Sequence, residues 1–328
     1  MNKWIWLVLI LLMSAYALYE HSVSDCAISP WEQLARHERM LDGRSEYFNP
    51  WQYRVFSMFV LEGTIRLFKI LLPEQHVLIP YFLLHYVQIV LLLYLCLVYF
   101  QKLEIKNPYL VISGLIILTF CIANSSFKSD FSYNTYFDVS FYVIAALLII
   151  KEKFIWLIPL TVLAALNRET SGFIPLMLIM PFPLSTWRMT LTNERLSICA
   201  VSLMLFAFIF FMVRWYYGYH GYEGVDQMTT PADFITFNLT FFRTYPLLIG
   251  TLSVIPLIVI LNLKFLPPLL QGWFWLIVPF WFALHFLQSN AMETRLFLVP
   301  QTLIFIPAFL IIIEQWYSGF YSSSIKNV

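Results

Sequence analysis

Apolar residues run in long stretches along the chain, and most of the charge is confined to the short polar segments between them. Stretches at 4–19, 77–100, 108–123, 137–150, 154–166, 171–182, 196–217, 246–262, 272–288 and 296–316 each predict a helix crossing a bilayer, about ten in all. The longest polar segment, 20–54, is rich in Asp, Glu and Arg and leads into 55–73, where Glu62, Arg66 and Lys69 interrupt apolar residues at roughly helical spacing. A helix of that kind lies along an interface more readily than it crosses. The pattern predicts an all-α polytopic membrane helix bundle. Residues 1–328 form a single integral membrane domain, and 20–76 is a first outer loop carrying a juxtamembrane interfacial helix.

Composition strengthens this reading. The 328 residues are 60% hydrophobic and 12% charged, with mean hydropathy +0.73, more apolar surface than a soluble domain of this size can bury. Trp and Tyr gather at the ends of the apolar runs, as in "RWYYGYHGY" (214–222), "QGWFW" (271–275) and "EQWYSGF" (314–320), the pattern of interfacial belts. Net charge is +1, with no basic run and no Gly-rich phosphate loop, which excludes nucleic acid and soluble nucleotide partners. Cysteines at 26, 96, 121 and 199 are scattered and indicate neither a disulfide framework nor a zinc site. The first segment follows Lys3 and ends in "SAYALYEHS", where Ala15 and Ala17 resemble a cleavage site; because further spans follow, it reads as a retained anchor. The sequons at Asn124 and Asn238 are short enough to be accidental, and His85 and His285, each alone in a span, read as satisfied core histidines.

Charge gives the chain a direction. With 55–73 kept out of the membrane, seven of the nine lysines (Lys3, Lys102, Lys106, Lys151, Lys153, Lys264 and Lys326) share one side, which is then cytoplasmic. The other side collects most carboxylates and arginines, including the "LNRETSGFIP" stretch (166–175) in the apolar run 154–182. A turn at 167–170 would join two short helices and present Arg168 and Glu169 to an outward cavity. The rival is one kinked span of 29 residues, which would invert everything after it; two spans is the preferred reading.

The acidic loop with Trp31, Glu32, Ala35, Leu41, Gly43 and Tyr47, then "QYRVF" (52–56), "YFD" (136–138), "LNRET" (166–170) and "ETRLFLVP" (293–300), resembles multi-spanning bacterial membrane proteins related to the GT-C glycosyltransferases. The resemblance implies a bundle with juxtamembrane helices after the first span, taking sugar from a polyprenyl-phosphate donor at the outer face of the bacterial inner membrane. It also implies a catalytic carboxylate in the first outer loop. Asp25 lies nearest the anchor and Glu32 fits the motif rhythm; the paired Asp-Asp or Glu-Asp of some members is absent.

The chemistry asks for the same residue types. Attack of an acceptor hydroxyl on a lipid-phosphate sugar needs a carboxylate for the proton and cations for the departing phosphate. Asp25 and Glu32 are the catalytic candidates; Arg54, Asp138, Arg168, Glu169, Glu293 and Arg295 are the substrate-binding candidates, with Arg243 a further cation and Asp42 and Glu46 further carboxylates. Arginine suits phosphate because its planar fork donates two parallel hydrogen bonds. No metal-ligand set is indicated, and a divalent metal stays open as a companion of the lipid phosphate. The acceptor is a glycan or lipid. The structural alternative is that Arg168 and Glu169 neutralise each other, or Glu293 and Arg295, and tie two turns together. A lipid-linked sugar transporter or flippase, or a non-catalytic assembly protein, are the alternative functions; the first should show internal repeats and broken helices in corresponding halves, which the sequence does not reveal.

Overall fold

A computed structural model describes residues 2–24, 38, 41–42, 51–72, 78–125, 133–180, 192–218 and 230–325. These residues form helices α1 (Lys3–Ser24), α2 (Val55–Leu71), α3 (Leu78–Lys102), α4 (Pro108–Ala123), α5 (Tyr133–Ile150), α6 (Leu157–Ala165), α7 (Phe173–Leu176), α8 (Asn193–Tyr217), α9 (Pro231–Thr240), α10 (Thr244–Leu252), α11 (Ile255–Leu261), α12 (Pro268–Gln288) and α13 (Ile306–Ile325). Short 3-10 turns precede α6 and α7, and Thr294–Phe297, a helical turn and a π-helical stretch at Gln301–Phe305 lead into α13. No strand occurs among the described residues. With lipid outside, only internal hydrogen bonding satisfies the backbone, so the apolar runs become helices.

Six helices are long and apolar enough to cross a membrane: α1, α3, α5, α8, α12 and the continuous run from Thr294 into α13. The protein is therefore an integral membrane protein. α4 and the Phe154–Ala165 segment are apolar but shorter, and α10 with α11 would make a seventh crossing if counted as one span. α2 is not among these. It buries Met58, Leu61 and Ile65 on one face while Leu67, Ile70 and Leu71 stay exposed. Helix starts are written locally: Asn107 accepts from Tyr109 N at 2.9 Å ahead of Pro108, and Thr192 accepts from Arg195 N at 3.3 Å. One hydrophobic cluster extends from Ile10 to Ile312, with Trp273, Trp281, Tyr99 and Phe100 buried within it. At Gly114 the α4 backbone comes so near α13 that a Cβ would sit 2.5 Å from Leu310 Cδ1.

The bundle has two chemically different ends. At one, Glu314 Oε1 accepts from Lys106 N (3.0 Å) and Asn107 N (3.1 Å), Gln315 Nε2 donates to Phe265 O beside Lys264, and the Arg195 guanidinium lies over the Phe154 ring near Lys151 and Lys153. This is the lysine end. The first turns of α2 and α5, the last turns of α8 and α12, and the Thr294–Phe297 turn meet at the other.

The "LNRET" turn takes its place from the same contacts. Phe154 before α6 meets Arg195 at the start of α8, and Glu169 after α6 meets Arg214 at the end of α8. α6 and α8 thus run side by side in the same direction, and the chain between them must travel back to the lysine end. Its described part already does: Thr170 O accepts from Tyr142 near the arginine-rich end, whereas Met177 O accepts from Trp273 Nε1, near the start of α12, at 3.0 Å. The described residues 154–180 thus leave the lysine end and turn back toward it.

The 246–262 run differs from its expected single helix. α10 and α11 meet at 72°, and Ser253 between them has a left-handed φ of 58°. Pro256 favours a break here: in a continuous helix its ring would clash with the carbonyl four residues back, that of Leu252. Gln301 Nε2 donates to that freed carbonyl at 3.3 Å, and Thr251 Oγ1 is bonded to Thr294 Oγ1 at 2.6 Å. Asn238 is also structural. Fully buried, its Nδ2 donates to the carbonyls of Phe286 and Ser289 and its Oδ1 accepts from Ala291 N, so it is no glycosylation acceptor in the folded chain.

Candidate functional site

The arginine-rich end is assembled from five separate stretches of chain. Arg54 immediately precedes α2, Asp138 lies in the second turn of α5, Arg168 and Glu169 follow α6, Arg214 ends α8, and Glu293 with Arg295 lie at the Thr294–Phe297 turn. Phe56 N donates to Leu166 O at 2.9 Å, which fixes the start of α2 against the "LNRET" turn. Tyr53 OH donates to Gly218 O at 2.9 Å, holding the same segment against the end of α8.

Arg168 and Glu169 do not neutralise each other. Arg168 has extended backbone, φ −160° and ψ 147°, and successive side chains on extended chain point to opposite sides. Arg168 Nη1 therefore reaches Asp138 Oδ2 at 3.5 Å on α5, and Glu169 Oε1 reaches Arg214 Nη2 at 3.4 Å on α8. Nor do they pair with Glu293 and Arg295, which bond each other: Glu293 Oε2 accepts from Arg295 Nη2 at 2.7 Å and Nε at 3.2 Å. Arg168 and Glu169 thus each pair with a residue other than those the charge-pairing alternative named.

Burial sorts these groups. Asp138 is 0% exposed, Arg168 3%, Arg295 4% and Arg54 8%, while Glu169 at 28% and Glu293 at 34% form the more open rim. Thr170 Oγ1 also donates to Asp138 Oδ2, at 3.3 Å, and Ser171 Oγ donates to Arg168 O at 2.7 Å, so the turn is braced from both sides. The Arg214 guanidinium lies over the rings of Phe210 (3.5 Å) and Tyr53 (4.4 Å). Burial pushes the Arg54 guanidinium down to about 10; the charges of Arg168 and Arg295 push the same way, and those of Glu169 and Glu293 oppose them. Arg54 consequently stays charged at neutral pH, within the electrostatic reach of both other buried arginines. Such a set of guanidiniums suits an anion with several oxygens.

The sequence candidates divide cleanly. Arg54, Asp138, Arg168, Glu169, Glu293 and Arg295 come together at one end, whereas Asp25, Glu32 and Glu46 lie outside the described residues. Arg243 is exposed on the turn before α10 and is not among the charges acting on Arg54; Asp42 is likewise exposed. No family model, curated protein or solved structure matches the chain. The likeness to GT-C enzymes accordingly rests on the quoted sequence motifs. Among the described residues no group of three or more His, Cys, Asp or Glu is arranged to hold a metal ion, and Cys96, Cys121 and Cys199 are free and buried.

Sequence reasoning missed four contributors. Arg214 lies at the head of a stretch that drew notice only for its Trp and Tyr, and Asn134, Asn167 and Thr170 carry no charge to set them off from their surroundings. His285, as expected, is a satisfied core residue: buried, stacked on Trp281, with Nδ1 donating to Trp281 O at 2.8 Å. His85 is instead paired, its Nε2 lying 2.9 Å from His21 Nδ1, while His21 Nε2 donates to Ile122 O at 2.7 Å.

Proposed function

We propose that the protein is a membrane glycosyltransferase that moves a sugar from a polyprenyl-phosphate donor to a glycan or lipid acceptor. The observation that carries this reading is the convergence of Arg54, Arg168 and Arg295, all buried, at one end of a membrane helix bundle. Ionisable groups at that depth are costly and persist where they bind or transport. A lipid phosphate approaching within the bilayer would meet the three guanidiniums as its leaving oxygen gains charge. In the step itself the acceptor hydroxyl oxygen bonds to the anomeric carbon, the bond from that carbon to the phosphate oxygen breaks, and the hydroxyl proton passes to a carboxylate of the first outer loop. Asp25 is the first choice for that base and Glu32 the second.

The bundle has about ten crossings in this reading, with α6 and the segment after Arg168 as two of them, and α2 lying along the interface. Lysines mark the cytoplasmic side of a bacterial inner membrane, so the arginine cluster faces out. A carrier for the same lipid-linked sugar is the second reading, favoured by the broken α10–α11 pair.

Sugar transfer from a polyprenyl-phosphate donor, measured in membranes, separates the cases. Arg168→Lys keeps the charge and loses the fork, so transfer should fall at least about tenfold with folding near normal. Asp25→Asn or Glu32→Gln should bind donor and lose most turnover. Full activity of Arg168→Lys with failure of Arg168→Ala to fold assigns the residue a structural role. Transport of the lipid-linked sugar without any transfer by the wild type establishes the carrier.

A further inference from the structure

Beside the arginines lies a set of buried groups of another kind. Asn134 (1% exposed), Thr135 (1%), Asp138 (0%) and Asn167 (0%) are enclosed by protein. Nevertheless Asn134 Nδ2 and Oδ1, Thr135 Oγ1, Asp138 Oδ1 and Asn167 Oδ1 have no hydrogen-bond partner. Native proteins leave few such atoms, and a cluster of them calls for a missing partner. Three of the four are tied together directly, and Thr135 lies three residues before Asp138 on the same helix. Asn134 and Asp138 are one turn apart on the same face of α5, and Asn167 Nδ2 donates to Asn134 O at 2.8 Å. That bond fixes the Asn167 amide with its oxygen directed elsewhere. Asp138 Oδ2 is held by Arg168 and Thr170, which leaves Oδ1 as its spare oxygen.

The chemistry of the unused atoms is selective. Three of the five, on Asn134, Asn167 and Asp138, are oxygens that only accept, and a phosphate dianion, having no hydrogen to donate, cannot satisfy them. Asn134 Nδ2 donates, and Thr135 Oγ1 can do either. A polyol both donates and accepts at neighbouring atoms and so matches this set. We propose that Asn134, Thr135, Asp138 and Asn167 form a polyol subsite that takes the hydroxyls of the sugar carried on the lipid phosphate, with Arg168 joining it to the phosphate site. This rests on the lipid-linked-sugar reading above and adds to it the residues that select sugar-bearing lipid over bare lipid phosphate.

The test uses purified full-length protein in lipid nanodiscs and four probes: polyprenyl phosphate, and polyprenyl phosphate bearing glucose, mannose or N-acetylglucosamine. Wild type should bind at least one sugar-bearing lipid at least tenfold more tightly than bare polyprenyl phosphate. Asn134→Leu should abolish that preference while changing affinity for the bare lipid less than twofold. It should also raise the melting temperature of the ligand-free protein, because it removes two unsatisfied polar atoms. Thr135→Val, nearly the same shape without the hydroxyl, should weaken the preference in the same direction and serves if Asn134→Leu does not fold. The subsite is overturned if wild type binds bare and sugar-bearing lipids equally, or if the variants keep the full preference, in which case ordered water fills the site. Equal weakening of all four lipids makes these residues supports of the arginine cluster and also overturns it. If wild type binds none of the four, the lipid-phosphate reading fails, and the subsite with it.

Discussion

Asp138 bears more of the site than its single charge suggests, because one oxygen holds Arg168 and Thr170 while the other stays unused. Removing that charge strands a buried guanidinium, a change that typically costs about 3–5 kcal/mol. Asp138→Asn should accordingly lower the unfolding midpoint far more than Glu293→Gln, because Glu293, unlike the fully buried Asp138, lies at the open rim where water reaches its pair with Arg295; thermal melts in detergent compare the two, and equal shifts would refute the difference. Apart from Arg214, the charged members of the site were legible in the sequence because an ionisable residue stands out against an apolar background. Their pairing was not. Nothing local to Arg168 and Glu169 announces that extended backbone sends one to α5 and the other to α8. Neutral Asn134 and Asn167 gave no signal, since amides are common near span ends and become telling only when their partners can be counted.

At the level of elements, most helices start and end close to where the apolar runs do, because the run itself requires internally bonded backbone. The exceptions are 171–182, whose α-helix is only Phe173–Leu176, and the 246–262 segment. Pro256 was visible there, but a proline in an apolar run can be absorbed, as Pro279 is inside α12, and only the tertiary partner decides the outcome. That partner is Gln301, at the start of the π-helical stretch, whose amide meets the carbonyl Pro256 sets free. Gln301→Leu should leave Leu252 O buried without a donor and destabilise by about 1–3 kcal/mol. Hydrogen exchange should show the loss first in α10 and α11; unchanged exchange there means the break does not depend on Gln301.

For the whole molecule, the division of charge between the two ends was readable from the lysines alone, whereas the count of crossings was not, because α4, α6 and the segment beyond Arg168 are too short to identify themselves by hydropathy. Single cysteines in place of Glu152 and Glu293, in a background without native cysteines, should differ: the second reacts with a membrane-impermeant thiol reagent from outside and the first does not. Protection of both would remove the two-crossing arrangement. The returning arm after Arg168 carries a further consequence, for biogenesis. Its α-helix is a single turn, Phe173–Leu176, too brief to be recognised as a membrane segment when it leaves the ribosome, and its anchor, Trp273, is synthesised much later. The arm must therefore wait, unsettled, until α12 arrives to give Met177 O its donor. Nascent chains truncated before Pro268 should show mixed sidedness for a cysteine at Glu194, and chains extended past Gln288 a single one; for this protein, topology would be a product of folding rather than of insertion.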